Sequence, residues 1–330
     1  MSYFYKENPA IEKTVDLYFE RLSEENEREF NGELSVFLLG SLSRGEGTWI
    51  AIEKGFKLLS DIEFFTVYPS GFSEFEKWNG ILDMVKNEVF SGENSILFHI
   101  DNTYVCIDSL GTLERKLLTF DGVSMGYTVV GKDVHGRFPR VTIENINYYD
   151  IRDIMTHRVF SVMYYGFRLR DSGDTVGYRY SLAKNSLDLM TVLLVCNGIL
   201  LSGFVNRYNA IKELDLSDEI KEYFGYCLNI KLGVEQDEKY DIAEMEGLFI
   251  SISDSLYKQL RIPFRNIRAN IKSIVRRELG KMKRAIRYKH IPVGNHYRHL
   301  SKSFSAKREL SKRELKDNLV VNGYPIINKL

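Results

Sequence analysis

Two carboxylates at i and i+2 open an apolar stretch of this chain, Ser60-Asp61-Ile62-Glu63-Phe64-Phe65. Side chains alternate across a strand, so Asp61 and Glu63 fall on one face, roughly 6.5–7 Å apart along the chain. Like charges that close call for a cation between them, and carboxylate oxygens suit Mg²⁺. Nineteen residues before Ser60, Leu39-Gly40-Ser41 closes another apolar run, Val36-Phe37-Leu38-Leu39. A glycine-serine turn offers unhindered backbone N–H groups to a phosphate. Together these residues point to metal-assisted chemistry on a nucleoside triphosphate. An Asp-x-Glu pair is also common on the solvated face of an edge strand. Here Ile62, Phe64, Phe65 and Val67 are apolar, which predicts a central strand, and central strands rarely carry two unpaired acids.

The ordered set Gly40-Ser41-Leu42-Ser43-Arg44-Gly45-Glu46, then Ser60-Asp61-Ile62-Glu63, resembles the signature of the DNA polymerase β-like nucleotidyltransferases. The resemblance covers about residues 30–135. It implies that Gly40 and Ser41 hold the triphosphate and that Asp61 and Glu63 bind the metals; Arg44 reads either as a further contact to the nucleotide or as a surface arginine. It also implies a third carboxylate on a later strand of the same sheet. Asp108 fits, at the end of Thr103-Tyr104-Val105-Cys106-Ile107; Asp101 competes, but it precedes Asn102 and reads as a turn. The chain departs from the family pattern in two ways. The interval between Ser41 and Asp61 is long, and Thr48–Leu59 reads as an inserted hairpin turning at Glu53-Lys54-Gly55. The second carboxylate is Glu63 where Asp is commoner.

These residues need elements to position them. Pro9 to about Phe30 carries Ile11, Val15, Tyr18, Phe19 and Leu22 at helical spacing, and Pro9 suits a first turn. Leu34–Leu39 and Ile62–Val67 are predicted core strands, with a short helix after Gly40-Ser41. A helix to about Phe90 would be capped by Ser70 or Ser73. Ser95–His99, Tyr104–Asp108 and Tyr127–Val130 read as further strands. From Tyr148 helical spacing dominates: about 150–169, a break at Gly173 and Gly177, 178–201, then segments near 209–230 and 239–260. The expected fold class is α+β: a small mixed-sheet nucleotidyltransferase core flanked by helices, followed by an α-helical domain. The expected divisions are 1–140 for the core, 141–260 for the helical domain, and 261–330 for a basic amphipathic helix and polar tail.

On the predicted helix through Tyr180-Ser181-Leu182-Ala183-Lys184, Lys184 invites two readings. In relatives a lysine on such a helix reaches the triphosphate, and a flexible ammonium suits that task. It could equally snorkel to solvent, or pair with Asp188 one turn on.

Apolar residues make up 44% of the chain and charged residues 27%, which is ordinary for a globular protein. Net charge is zero, but Lys258–Lys316 holds 19 Lys and Arg against 3 Asp and Glu, a balance of +16 that leaves −16 on the remainder. That stretch is predicted to form the basic amphipathic helix, with Phe264, Ile267, Ile271, Ile274, Val275, Met282 and Ile286 three or four apart. It reads as a helix packed on the acidic remainder, or as a contact for an anionic membrane or another polyanion. Cys106, Cys196 and Cys227 lie far apart in apolar surroundings and read as reduced core residues, which with the absence of a signal-like N-terminus predicts a cytoplasmic, or membrane-peripheral, protein.

The function expected is Mg²⁺-dependent transfer of a nucleoside monophosphate from an NTP such as ATP to a hydroxyl acceptor, with pyrophosphate released. Two Mg²⁺ ions would sit on Asp61, Glu63 and Asp108. Gly40, Ser41, Arg44 and Lys184 would hold the nucleotide. Net neutrality favours a small-molecule or saccharide acceptor over nucleic acid. The alternative is a catalytically inactive protein that binds nucleotides or anionic surfaces.

Overall fold

The structure is a computed structural model and describes residues 2–53, 55–91, 98–162, 166–234 and 239–261. The basic helix expected over 264–286 and the polar tail after it lie outside the described residues. The first helix, α1 (Pro9–Phe30), starts where expected. The Asn8 side chain accepts from the Ala10 amide, Pro9 occupies the first turn, and Asn31 ends the helix at φ 51°. Ile11, Val15, Tyr18, Phe19 and Leu22 are all buried.

The core continues through β1 (Ser35–Leu39), α2 (Gly40–Ser43), β2 (Trp49–Ile52), β3 (Gly55–Leu58), β4 (Ile62–Tyr68), α3 (Phe75–Val89) and β5 (Ile100–Cys106). A 3₁₀ turn at Ile107–Thr112, α4 (Leu117–Met125) and β6 (Tyr127–Val130) complete it. The four-stranded sheet has the order β5-β4-β1-β6, so the strand bearing Glu63 is central. β4 runs parallel to β5 and antiparallel to β1, which is antiparallel to β6. Parallel neighbours need a crossover, which α3 supplies against α1. Alternation sorts β4 onto two apolar layers. Ile62 and Phe64 pack with Tyr18 and Trp78, while Phe65 and Val67 face Phe37, Val105 and Leu110. The segment expected to be an inserted hairpin forms one, β2–β3, and it stands outside this sheet.

Two local expectations fail for identifiable reasons. Neither Ser70 nor Ser73 caps α3, whose N-cap is Glu74 without a side-chain hydrogen bond; the Ser70 hydroxyl donates instead to Asp108. Asp101-Asn102 forms no turn but lies inside β5. Pairing with β4 overrides the turn tendency, and the Asn102 side chain is occupied there, accepting from Thr66 N at 3.2 Å and Thr66 Oγ1 at 2.8 Å.

The second half is helical: α5 (Tyr148–Ser161), α6 (Phe167–Asp171), α7 (Thr175–Cys196), α8 (Phe204–Lys212), α9 (Asp218–Leu232) and α10 (Ile242–Arg261). The predicted 150–169 segment is helical on both sides of 163–165, as α5 and α6, with Val162 and Gly166 themselves in helical backbone conformation. Gly173, at φ +79°, breaks the chain, but Gly177 does not. It lies in the first turn of α7, where its amide bonds the Asp174 side chain at 2.8 Å and a Cβ would sit 2.6 Å from Asp174 Oδ2. α7 is buried over most of Tyr178 to Val195, with Arg179, Lys184 and Asp188 partly exposed, and forms the axis of a core shared with α5, α8, α9 and α10. The cysteines differ from their common reading: Cys227 is buried, Cys106 is half-buried and Cys196 is exposed. Among the described residues no helix is long and apolar enough to cross a membrane.

Candidate active site

Glu63 pairs directly with Leu39, the last residue of β1. The chain must therefore turn beside the Glu63 side chain, and Gly40 makes that turn at φ +71°. A Cβ at Gly40 would lie 2.6 Å from Glu63 Oε2 and 3.3 Å from Glu63 Cβ. Glycine is needed there for conformation and for space. The turn stays tight past Ser41, whose carbonyl accepts from Glu46 N at 2.8 Å. Asp61 precedes β4 by one residue, two positions from Glu63, and is only 8% exposed.

Asp108 does not join these residues. It sits in the 3₁₀ turn after β5, held by the Ser70 hydroxyl. Tyr68, about 23 Å along β4 from Asp61 at ~3.3 Å per residue, pairs with Cys106, and Asp108 follows Cys106 at that far end of the strand. The register brings Asp101 instead, directly beside Glu63. Neighbours in a parallel ladder share a face, so Asp101 stands on the Glu63 side of the sheet.

The helical half closes on this end of the sheet. Lys184 of α7 places Nζ 3.2 Å from Asp61 Oδ2. His99, just before β5, places Nδ1 3.0 Å from Asp61 Oδ1 and Nε2 3.6 Å from Asp101 Oδ2. Asp101 and Asp61 together hold the imidazole pKa up to about 10 despite partial burial, so the ring is cationic at neutral pH. Burial works to raise the Asp61 pKa, but Lys184 and His99 outweigh it and keep the carboxyl below its usual range. Burial likewise opposes the Lys184 ammonium, and Asp61, Tyr180 and Glu63 more than offset this. Asp188 is not the partner of Lys184; it meets Arg158 Nε at 2.8 Å.

Arg44 is placed differently from its expected role. Its side chain is 7% exposed, with Nε 3.0 Å from Glu46 Oε2 and the guanidinium 5.5 Å from the centre of the Phe204 ring. Glu46 Oε1 in turn accepts from Val205 N, at the start of α8, at 3.1 Å. Arg44 thus fastens the segment after Gly40-Ser41 to the helical half.

Sequence reading passed over His99 and a buried polar knot of Thr48, Ser60, Tyr180 and Lys231. A signal for Lys231 existed. Phe224, Cys227, Leu228, Lys231 and Leu232 share the buried stripe of α9, so a lysine stands where the period demands an apolar residue.

Asp61, Glu63 and Asp101 supply the carboxylate oxygens that a divalent cation takes. Asp61 Oδ1 is buried and receives no aligned hydrogen bond, but His99 Nδ1 faces it at 3.0 Å, so an ion bound there would displace the imidazole. The donor types fit, although among the described residues no group of three or more His, Cys, Asp or Glu side chains converges closely enough to enclose one.

No family model matches the sequence, and no curated protein matches it. Among solved structures, the chain is similar to the spectinomycin adenyltransferase of Enterococcus faecialis, determined with ATP and spectinomycin. The two share 13% identity and a TM-score of 0.45, over 74% of this chain and 98% of the other. A likeness that distant carries no weight for the reaction, which stands on the residues themselves.

Proposed function

We propose that this chain transfers a nucleoside monophosphate from an NTP to a hydroxyl acceptor and releases pyrophosphate. The observation that carries the reading is the meeting of the Gly40 turn with Glu63, where Asp61, Asp101 and Lys184 gather at the same end of the sheet. Asp61 and Glu63 would hold Mg²⁺, with Asp101 beside them. Such an ion, when bound, neutralises phosphate charge and lowers the pKa of a coordinated hydroxyl.

The chain's own groups have distinct tasks. The Gly40-Ser41 backbone admits phosphate oxygens without a side chain in the way. Lys184 adds a mobile positive charge from the helical side of the cleft. A carboxylate oxygen of Asp101, the exposed member of the three acids, accepts the acceptor's hydroxyl proton. The freed oxygen forms a bond to the α-phosphorus, the bond from that phosphorus to the β-phosphate oxygen breaks, and pyrophosphate leaves. Positioning and charge neutralisation supply most of the acceleration. A small hydroxyl compound or a saccharide is the acceptor class favoured by a chain of zero net charge.

Asp61 is engaged by Lys184 and His99, and this favours one rival, a nucleotide-binding protein without turnover. Incubating each α-labelled NTP with Mg²⁺, the full chain and a cell extract separates the two. Transfer of label to an acceptor, lost in Asp61→Ala, supports the enzyme; NTP binding with no pyrophosphate release supports the rival.

A further inference from the structure

The buried knot behind the site has a geometry of its own. Lys231 is 1% exposed, and an ammonium taken out of water is costly unless its donors are met. Here all three are: Nζ lies 3.0 Å from the Glu46 carbonyl, 2.9 Å from Thr48 Oγ1 and 2.9 Å from Ser60 Oγ. None of these acceptors is a carboxylate, and burial pushes the Lys231 pKa down. Neutral oxygens give such an ammonium direction more than charge compensation, so what the knot fixes is geometry.

Those acceptors belong to the two loops that form the site. Glu46 follows the Gly40-Ser41 turn and is bonded back to it through Ser41. Ser60 immediately precedes Asp61. Thr48 joins the two loops. Its amide donates to Ser60 Oγ at 2.9 Å, its carbonyl accepts from Leu59 N at 3.0 Å and Ser60 N at 3.3 Å, and its hydroxyl donates to the Lys231 carbonyl. The Tyr180 hydroxyl, one turn before Lys184 on α7, lies 3.4 Å from Ser60 Oγ.

We infer that Lys231 is a positioning residue: from α9 it ties the loop after Gly40-Ser41 to the residue before Asp61 and so sets the spacing between the phosphate turn and the carboxylates. This rests on the nucleotidyltransferase reading above. Lys231 acts through Ser60 and Glu46. Three helices meet the loops in this way, with α7 reaching Asp61 through Lys184, α8 reaching Glu46 through Val205, and α9 reaching both loops through Lys231.

The test uses the full chain with Mn²⁺ as the probe, its binding followed by electron paramagnetic resonance with ATP present, and thermal unfolding measured alongside. In Ser60→Ala and Lys231→Met the Mn²⁺ dissociation constant is expected to rise at least about tenfold while both proteins unfold cooperatively. Should Lys231→Met fail to fold, Ser60→Ala, which removes one hydroxyl and no charge, decides the matter. A lowered melting temperature with unchanged Mn²⁺ affinity would mark the knot as purely structural and overturn the inference. A wild-type chain that binds no Mn²⁺ with ATP would overturn the nucleotidyltransferase reading, and this inference with it.

Discussion

Lys184 and Asp61 stand 123 residues apart in sequence, yet their charged atoms lie 3.2 Å apart. The contact joins the helical half to the sheet end where Glu63 and Asp101 lie side by side. A nucleotide bound there would be gripped from two sides, by the carboxylate face of the sheet and by an ammonium from α7. Asp61→Ala is therefore expected to abolish transfer, by at least about 10³-fold, because it removes a charge at the reacting centre. The fold should survive, since Lys184 is partly exposed and can turn to solvent. Transfer assays and circular dichroism check both parts; near-normal turnover by a folded Asp61→Ala protein would reject the assignment.

Asp101 and Asp108 make opposite predictions. Asp101 is the register neighbour of Glu63, and Asp108 lies at the other end of β4. Asp101→Asn should lower the transfer rate by about 10²-fold, the usual scale for a lost acid–base group. Asp108→Asn should stay within a few-fold of wild type. Reversed effects in steady-state rates would return the third carboxylate to Asp108.

Gly40→Ala tests the turn. The added methyl meets a φ of +71° and the Glu63 carboxylate. Strain at a positive φ costs about 1–2 kcal/mol, and Glu63 must also shift. Nucleotide binding is expected to weaken at least tenfold, with a small drop in melting temperature, both measurable on one protein preparation. Alanine tolerated with full affinity would show that the turn does not approach the phosphates.

Cys227 offers a test of the helical core. Burial pushes its thiol up to about 12, so at pH 8 only about one part in 10⁴ is thiolate. The thiol is expected to resist iodoacetamide in the native protein and react once denaturant is added, while exposed Cys196 reacts first. Mass spectrometry of the peptides reads the order directly.

Local chemistry made much of the site legible. Gly40-Ser41 and the Asp61–Glu63 alternation could be read because each depends on residues close in sequence, and the hairpin between them followed from its turn at Glu53 to Gly55. Asp101 could not be chosen over Asp108 that way. The decision belongs to pairing between β4 and β5, which no local propensity encodes. Arg44 looked like a phosphate ligand because its partners, Glu46 and Phe204, meet only when α8 packs against the core. Lys231 reaches Ser60 across 171 residues; the sequence showed only a lysine out of place on an apolar stripe.

The measurement that bears most directly on the central claim is calorimetric titration of ATP into wild type and Asp61→Ala, with and without Mg²⁺. Mg²⁺-dependent binding to wild type, weakened at least tenfold in the variant, is the expected result. Equal binding by both proteins, or no ATP bound by wild type under either condition, would contradict a carboxylate-held nucleotide site beside Gly40.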